Sequence, residues 1–342
     1  MSDASKGRAA SGKPGRRIVL HTGFPKTGTT TVQNTLYGQR EKLLERYGLL
    51  YPSIAPNHTD AMCTMFLANP LQHITNRAKN LTKAQARKLK AKYKAEMEEE
   101  INAKDWRVLL ISAEGLSNLS ATDLSKARDW LTGFTNSISV HTYVRHPVSY
   151  SKSVIQQHLK GGETLTDMYR NPPLANFEGR LSNLEQVFGR QAMRIFAFED
   201  AAASDEPLSQ VFLRHVNPAW ELLVPEGRAT NTSMSHEAAL ILNSLNVQIP
   251  LFVDGKRNPE RSHSVLAQIM RISGNRFALP PAVVDKIVNL SIPDVAALNR
   301  IAGQAIYELQ APVASDAVYE QHIDPKTVAA LARILNEVTL KD

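Results

Sequence analysis

A short apolar strand that runs into a glycine-bounded loop and then into a helix constrains this chain more than any other feature. The stretch is Ile18 to Gln33, with the sequence IVLHTGFPKTGTTTVQ. Gly23 and Gly28 are expected to take positive φ values and to let the backbone approach a ligand. The first N–H groups of the next helix, near Thr29 to Thr31, have no partner within the helix, and the helix dipole adds partial positive charge there. The junction therefore predicts a phosphate-binding loop at the end of a strand.

The position of the lysine separates this loop from the pattern G-x-x-x-x-G-K-[ST], in which the lysine follows the second glycine. The spacing of Gly23 and Gly28 fits that pattern, but Thr29 stands where the lysine is required and Lys26 lies inside the loop. An enzyme that binds ATP through such a loop needs its lysine at position 29. The displaced lysine therefore favours a different phosphate ligand.

A second motif follows a later strand. The apolar run Ile138 to Val144 leads into Arg145, His146 and Pro147. Pro147 suits the first position of a helix, which puts Arg145 at the end of the strand and Ser153 about two turns into the helix. An arginine fork and a hydroxyl group can bind one phosphate together.

Together the two motifs resemble those of the sulfotransferases that use 3′-phosphoadenosine 5′-phosphosulfate, PAPS. Pro25 to Thr30 is similar to their 5′-phosphosulfate loop, P-K-[ST]-G-T-[ST], and the spacing R-x-P-x-x-x-x-x-S is similar to their 3′-phosphate motif. The cofactor-binding residues that this resemblance implies are Pro25, Lys26, Thr27, Gly28, Thr29, Thr30, Thr31, Arg145 and Ser153. Further segments that look like bacterial members of the family are Leu49 to Pro52, Asn57-His58, Leu110 to Glu114, Phe196 to Asp200 and Asn231 to Glu237. The region of Arg228, Asn231 and Ser233 departs from the family, because it lacks the K-G-x-x-G-x-W-K-like loop of the cytosolic small-molecule enzymes.

The resemblance implies transfer of a sulfuryl group from PAPS to a hydroxyl of an acceptor, with a carbohydrate as the favoured class, and release of 3′-phosphoadenosine 5′-phosphate, PAP. A lipid, a small alcohol or an amine would fit the same residues. Lys26 would stabilise the leaving oxygen, and no metal is required. Two residues are candidates for the base that deprotonates the acceptor. Glu114 lies two residues past a strand, where several carbohydrate sulfotransferases have a glutamate, and His58 lies in a loop where the family often has a histidine.

Two other functions stay open at this stage. A P-loop kinase or another ATP-dependent enzyme could use Glu114 as a magnesium ligand. A nucleic-acid-binding or scaffold protein would account for the formal net charge of +7. However, five basic residues and one acidic residue precede Ile18, so most of this charge belongs to the N-terminal tail, and no nucleic-acid partner is expected.

The order of the elements predicts an α/β fold with a P-loop NTPase-like parallel sheet flanked by helices, followed by a helical C-terminal part. The predicted strands are Arg17–Thr22, Arg107–Ser112, Ile138–Val144 and Met193–Phe198. The predicted helices are Thr29–Tyr47 ended by Gly48, Asp60–Leu67, one capped by Thr82 and Gln85, Glu237–Leu245 capped by Ser235, and 281–290, 294–308 and 325–338.

Composition predicts the organisation of the whole chain. Residues 1–16 are expected to be a disordered basic tail, 17–250 the sulfotransferase core, and 251–342 a helical extension packed on that core. The single cysteine, Cys63, favours a reducing compartment, and the histidines show no metal-ligand spacing. With no apolar run of membrane-spanning length and no signal-peptide core, a cytoplasmic protein is expected. The sequence leaves the oligomeric state open.

Overall fold

The computed structural model of the chain describes residues 15–225, 233–309 and 325–340. The predicted N-terminal tail lies outside the described residues except for Gly15 and Arg16. Arg228 and Asn231 also lie outside them.

Five parallel strands form the main sheet, which confirms the predicted P-loop-like α/β fold. The strands are β1 (Arg17–His21), β2 (Leu49–Leu50), β3 (Val108–Ser112), β4 (Ile138–Val144) and β5 (Met193–Ala197), in the spatial order β2-β3-β1-β4-β5. β1 is central, because it pairs with β3 on one side and β4 on the other, with His21 opposite both Ser112 and His141. The carboxyl ends of these three strands therefore meet at one edge of the sheet, where parallel α/β sheets bind ligands. A hairpin of β6 (Phe252–Val253) and β7 (Lys256–Arg257) is separate from this sheet.

Helices and short turns connect the strands. In chain order the helices are α1 (Thr29–Gly38), α2 (Arg40–Tyr47), α3 (Thr59–Phe66), α4 (Ile74–Ala78), α5 (Lys83–Ala103), α6 (Ala121–Thr132), α7 (Pro147–Lys160), α8 (Leu165–Arg170), α9 (Phe177–Phe188), α10 (Phe198–Ala202), α11 (Leu208–Val216), α12 (His236–Gln248), α13 (Val265–Ile269), α14 (Pro281–Ala302) and α15 (Pro325–Leu340). The 3₁₀ turns are Pro70–Gln72, Glu114–Asn118 and Arg190–Ala192.

The chain divides into two compact units, each with its own apolar core. The first takes its described residues from Met1–Arg145, Asn176–Arg228 and Ala296–Tyr307, and the second from His146–Ala175, Ala229–Val295 and Glu308–Asp342. The first core includes Val19, Leu36, Leu110, Tyr143 and Phe212, and the second includes Ile155, Leu242, Phe277, Ile287 and Ala332. The predicted ranges 17–250 and 251–342 follow chain order and stay a prediction.

The predicted helix Thr29–Tyr47 is wrong in one respect, because it is interrupted at Gln39. Gln39 leaves helical geometry, with φ −110° and ψ 6°. Its buried amide oxygen accepts the backbone N–H groups of Leu223 and Val224, and its amide nitrogen donates to the Val224 carbonyl at 2.9 Å. The interruption therefore satisfies a distant backbone segment. The predicted stop at Gly48 is confirmed, since this glycine caps α2 with φ 65°.

Local capping signals locate other helix ends correctly. Thr82 and Gln85 form both hydrogen bonds of a capping box at the start of α5. The Ser235 hydroxyl accepts the Ala238 N–H at the start of α12. The predicted division into helices 281–290 and 294–308 is wrong, because α14 continues through Pro293. Gly303, with φ 76°, follows its last residue, and a left-handed glycine there is typical of a helix end.

Candidate active site

The loop between β1 and α1 has two left-handed residues. Gly28 has φ 72°, as predicted, and the second is Lys26 with φ 69°. The predicted positive φ at Gly23 is wrong. Gly23 is needed for close packing, because a Cβ there would lie 2.6 Å from Thr29 Cγ2 and 2.9 Å from His21 Nε2. Gly28 also has no room for a side chain, since a Cβ would overlap the Leu208 side chain.

Two hydrogen bonds hold this loop against the end of β4, and a third joins two residues of the loop. Phe24 N–H donates to the Tyr143 carbonyl at 3.1 Å, and Thr27 Oγ1 donates to the Phe24 carbonyl at 2.6 Å. Arg145 Nη1, from the end of β4, donates to the Lys26 carbonyl at 2.7 Å. Lys26 is thus held at its carbonyl by Arg145 and lies between the two residues that the Thr27 hydrogen bond joins.

The loop and the start of α1 can receive an anion. Left-handed residues alternating with Thr27 turn successive N–H groups toward one side, and such concavities bind anions. The N–H groups of Thr31 and Val32 donate to the Gly28 carbonyl, which makes Thr29 and Thr30 the first residues of the helix. Their N–H groups precede the first intrahelical bond and lie at the positive end of the dipole. Of the loop hydroxyls, Thr27 and Thr29 donate to protein acceptors, whereas Thr30 is exposed.

Glu114 is joined directly to this loop. It follows β3 by two residues and begins a 3₁₀ turn, and its Oε1 accepts the Thr29 hydroxyl at 2.6 Å. Burial raises the pKa of the Glu114 carboxyl, while the Thr29 hydrogen bond and the charges of Lys26 and Arg180 oppose that rise. The arrangement gives a half-buried carboxylate that can take up a proton beside a loop that can receive an anion.

His58, the other predicted base, is enclosed by backbone on both sides. Its ring is completely buried, Nδ1 accepts the Ser112 N–H at 3.0 Å, and Nε2 donates to the Pro52 carbonyl at 3.1 Å. Burial lowers its pKa to about 4. Because both nitrogens are used, His58 has none free to deprotonate an acceptor. The geometry therefore gives it a structural role, contrary to its selection as a base.

Arg145 lies at the end of β4, as predicted, and its guanidinium is largely enclosed. The guanidinium carbon lies 5.0 Å from the centre of the Phe198 ring. Its Nε atom is buried and has no hydrogen-bond partner among the residues that the structure describes. Burial lowers the Arg145 pKa, and the charge of Glu199 opposes this. A buried donor without an acceptor fits a site that takes an anionic oxygen.

The structure does not test the pairing of Arg145 with Ser153. Ser153 is on α7, in the second unit, whereas Arg145 belongs to the first unit, as the last residue of its Met1–Arg145 segment. In the family-departing region, Ser233 is described, and its hydroxyl donates to Gln156 Oε1 at 3.1 Å. The contribution of Ser153 to the site stays a prediction.

A cavity of about 370 Å³ lies beside Glu114 and the loop, entirely within the first unit. Its lining includes Pro25, Glu114, Arg180 and His73. The lining also includes Asn57, Thr59, Cys63, Leu67, Gln72, Ile74, Gly115, Asn118 and Leu119. Such a mixture of apolar and amide side chains is typical of a small-molecule site.

Sequence reasoning missed two polar residues of this cavity. His73 Nε2 lies 2.7 Å from Asp60 Oδ1, and the same oxygen accepts the Thr75 hydroxyl at 2.9 Å. Arg180 is on α9, far along the chain from the loop. Neither residue belongs to a recognisable motif, so their convergence could be found only from the fold.

No helix in residues 15–225, 233–309 and 325–340 is both long enough and apolar enough to cross a membrane. In the same ranges, no group of three or more His, Cys, Asp or Glu side chains could hold a metal ion.

Comparison with known proteins gives no family for this chain. No protein-family model and no curated protein matches it. Among solved structures, a sulfotransferase from Alicyclobacillus acidocaldarius aligns with 12% identity and a TM-score of 0.43, over 84% of this chain and 96% of that chain. A structure of the PezAT chromosomal toxin-antitoxin system of Streptococcus pneumoniae aligns with 9% identity and a TM-score of 0.29, over 70% of this chain and 88% of that chain. At these values neither likeness assigns the chain to a family.

Proposed function

We propose that this chain is a PAPS-dependent sulfotransferase that transfers a sulfuryl group to a hydroxyl of an acceptor, with a carbohydrate as the favoured class, and releases PAP. One observation carries the proposal. A lysine stands inside an anion-binding loop, and the first helical residue after that loop, Thr29, donates a hydrogen bond to a carboxylate of raised pKa, Glu114. Sulfuryl transfer needs these two groups side by side, one for the leaving oxygen and one for the attacking oxygen.

The residues that would hold PAPS are those of the loop and the neighbouring strand end. The backbone N–H groups from Lys26 to Thr30 suit the 5′-phosphate, and Thr30 offers an exposed hydroxyl, whereas the Thr31 N–H already donates to the Gly28 carbonyl. Arg145, with its unpartnered Nε, and Ser153 are assigned to the 3′-phosphate. The loop carries no lysine at position 29, which is the residue that a phosphate loop for ATP requires.

The chemical step balances with the residues named. The acceptor hydroxyl gives its proton to the Glu114 carboxylate as its oxygen forms a bond to sulfur. The bond from sulfur to the bridging phosphate oxygen breaks, and its electron pair stays on that oxygen. The Lys26 ammonium neutralises the charge that develops there. The catalysis is mainly positioning and charge stabilisation, as in phosphoryl transfer.

The nucleotide is tested first by calorimetric titration. PAP is expected to bind, and ATP with magnesium is expected to bind far more weakly. Tight binding of ATP with magnesium and none of PAP would overturn the proposal in favour of a kinase or another ATP-dependent enzyme.

The chemistry is tested with labelled PAPS and a panel of hydroxyl acceptors. Lys26→Met removes the ammonium at similar length, and Glu114→Gln removes the base at similar shape. Each is expected to lower turnover by about a hundredfold or more while PAP still binds. Lys42→Met, at an exposed position on α2, is the matched control and should leave turnover unchanged. Wild-type turnover in Lys26→Met would remove Lys26 from the mechanism.

A further inference from the structure

From Arg180 we propose that the acceptor carries an anionic group, such as a carboxylate, in addition to the hydroxyl that is sulfated, and that the Arg180 guanidinium binds this group in the cavity beside Glu114. The inference rests on the proposed function and names the chemistry of its acceptor. It depends on three features of Arg180: its place in the cavity wall, its free donors and the way its side chain is held.

Arg180 lines the same cavity as Glu114. Both side chains line this one cavity, and the charge of Arg180 lowers the Glu114 pKa. No lysine and no other arginine lines this cavity in the part of the chain that the structure describes. A ligand whose hydroxyl reaches Glu114 is therefore also exposed to the positively charged Arg180 guanidinium in the wall of the same cavity.

The guanidinium keeps most of its donors for a ligand. Among the residues that the structure describes, its hydrogen bond to protein is a long one, from Nη1 to Ser117 Oγ at 3.5 Å. A guanidinium has five N–H donors, so the fork that binds a carboxylate or sulfate through two parallel hydrogen bonds is largely unused. A partly buried arginine in a cavity wall, with unused donors, is a site for an anion.

The side chain is also positioned before a ligand arrives. Its guanidinium carbon lies 5.3 Å from the centre of the Phe24 ring, at the start of the phosphate loop, while Nη1 reaches Ser117 in the 3₁₀ turn that Glu114 begins. Arg180 thus touches both elements that carry the proposed chemistry. Stacking on an aromatic ring favours arginine over lysine at this position.

The cavity has the size and chemistry of a site for a single sugar unit. Its volume of about 370 Å³ lies within the range for small-molecule sites, and Asn57, Gln72 and Asn118 supply amide donors and acceptors. A sugar acid presents a hydroxyl for sulfation and a carboxylate for Arg180 in one ring. A neutral sugar of the same size lacks the second interaction.

The test compares two probes that differ mainly in one group, p-nitrophenyl β-D-glucuronide and p-nitrophenyl β-D-glucoside. Each is titrated into the full chain saturated with PAP, so that the readout is binding and not turnover. The glucuronide is expected to bind about tenfold to a hundredfold more tightly than the glucoside, as for a hydrogen bond to a charged group. Equal affinities, or no measurable binding of the glucuronide, would overturn the inference.

Two variants at the site and one control identify the residue responsible. Arg180→Gln should remove the preference for the glucuronide, and Arg180→Lys should keep part of it through charge without the fork. Arg87→Gln, at an exposed position on α5, should change nothing. A preference that survives in Arg180→Gln, or a loss confined to the affinity for PAPS, would also overturn the inference.

Failure of the proposed function is distinguishable from failure of this inference. If PAP does not bind, the proposed function fails at the nucleotide titration. The two probes can then be titrated into the free protein, where a glucuronide preference that depends on Arg180 would still support an anion site in the cavity. Its absence there would remove the site as well.

Discussion

Acidification should destabilise the fold through His58. Its ring must stay neutral, because Nδ1 accepts the Ser112 N–H. A proton on Nδ1 would turn this nitrogen into a donor that faces the Ser112 N–H donor, and the hydrogen bond would be lost. The His58 pKa falls from 6.5 to about 4 on folding. Its contribution to stability is therefore complete above the unfolded pKa of 6.5 and is lost as the pH falls toward the folded pKa.

The magnitude follows from that difference in pKa. One pKa unit corresponds to about 1.4 kcal/mol, so His58 alone should lower the free energy of unfolding by about 2 kcal/mol at about pH 5 and about 3 kcal/mol at about pH 4. His21 and His141, whose pKa values burial lowers to about 3, act in the same direction. The effect of His58 must therefore be measured as a difference between variants.

Urea unfolding at several pH values between about 7 and 5 gives the free energy of unfolding of the wild type and of His58→Asn. The asparagine can accept the Ser112 N–H but does not titrate, so the variant should be less stable at neutral pH and should lose about 2 kcal/mol less on acidification. His263→Asn, at an exposed site, is the control and should follow the wild type. Parallel stability curves for the wild type and His58→Asn would refute the reasoning.

Three other outcomes are expected. Thr29→Val removes the hydrogen bond that lowers the Glu114 pKa, so the acidic limb of the pH–rate profile should move to higher pH. Thr29→Ser keeps the hydroxyl and should behave as the wild type. An unmoved limb in Thr29→Val would mean that Glu114 is not the base. Arg145→Ala should weaken the binding of both PAP and adenosine 5′-phosphosulfate in calorimetry, because Arg145 also donates a hydrogen bond to the Lys26 carbonyl. The loss of affinity should be larger for PAP. Equal losses for the two nucleotides would make Arg145 purely structural. Gln39→Ala removes three hydrogen bonds to the backbone of Leu223 and Val224 and should lower the free energy of unfolding in urea by about 2 kcal/mol, whereas a change below about 0.5 kcal/mol would contradict the role of Gln39 at the helix interruption.

Local patterns in the sequence predicted four of the five strands of the main sheet, all but the two-residue β2, and several helix ends. The β3 run is buried along its whole length, and the Thr82–Gln85 capping box forms between residues three apart, so both signals are complete within a short window. The loop motif likewise located Lys26 at one edge of the sheet, and the position of Glu114 two residues past β3 located Glu114 at the same edge. These predictions succeed because the forces that decide them act between near neighbours in the chain.

The features that sequence reasoning missed depend on distant partners. Gln39 interrupts a helix, and its side chain forms hydrogen bonds with a backbone segment about 185 residues further along the chain. His58 was selected for its ordinary pKa, whereas its burial under Pro52 and Ser112 is a property of the fold. Arg180 reaches the cavity from α9, and no spacing in the sequence connects it to the loop.

The backbone at Lys26 brings stability and the proposed chemistry into opposition. A side-chain-bearing residue in the left-handed region costs about 1 kcal/mol or more, and glycine there would relieve that cost, offset in part by its greater freedom in the unfolded chain. A selection for heat resistance alone should therefore enrich glycine at position 26, and the variants it yields should be inactive. The difference in thermal stability between the wild type and the variant with glycine at position 26 measures the stability that is lost when a lysine occupies this left-handed position of the loop.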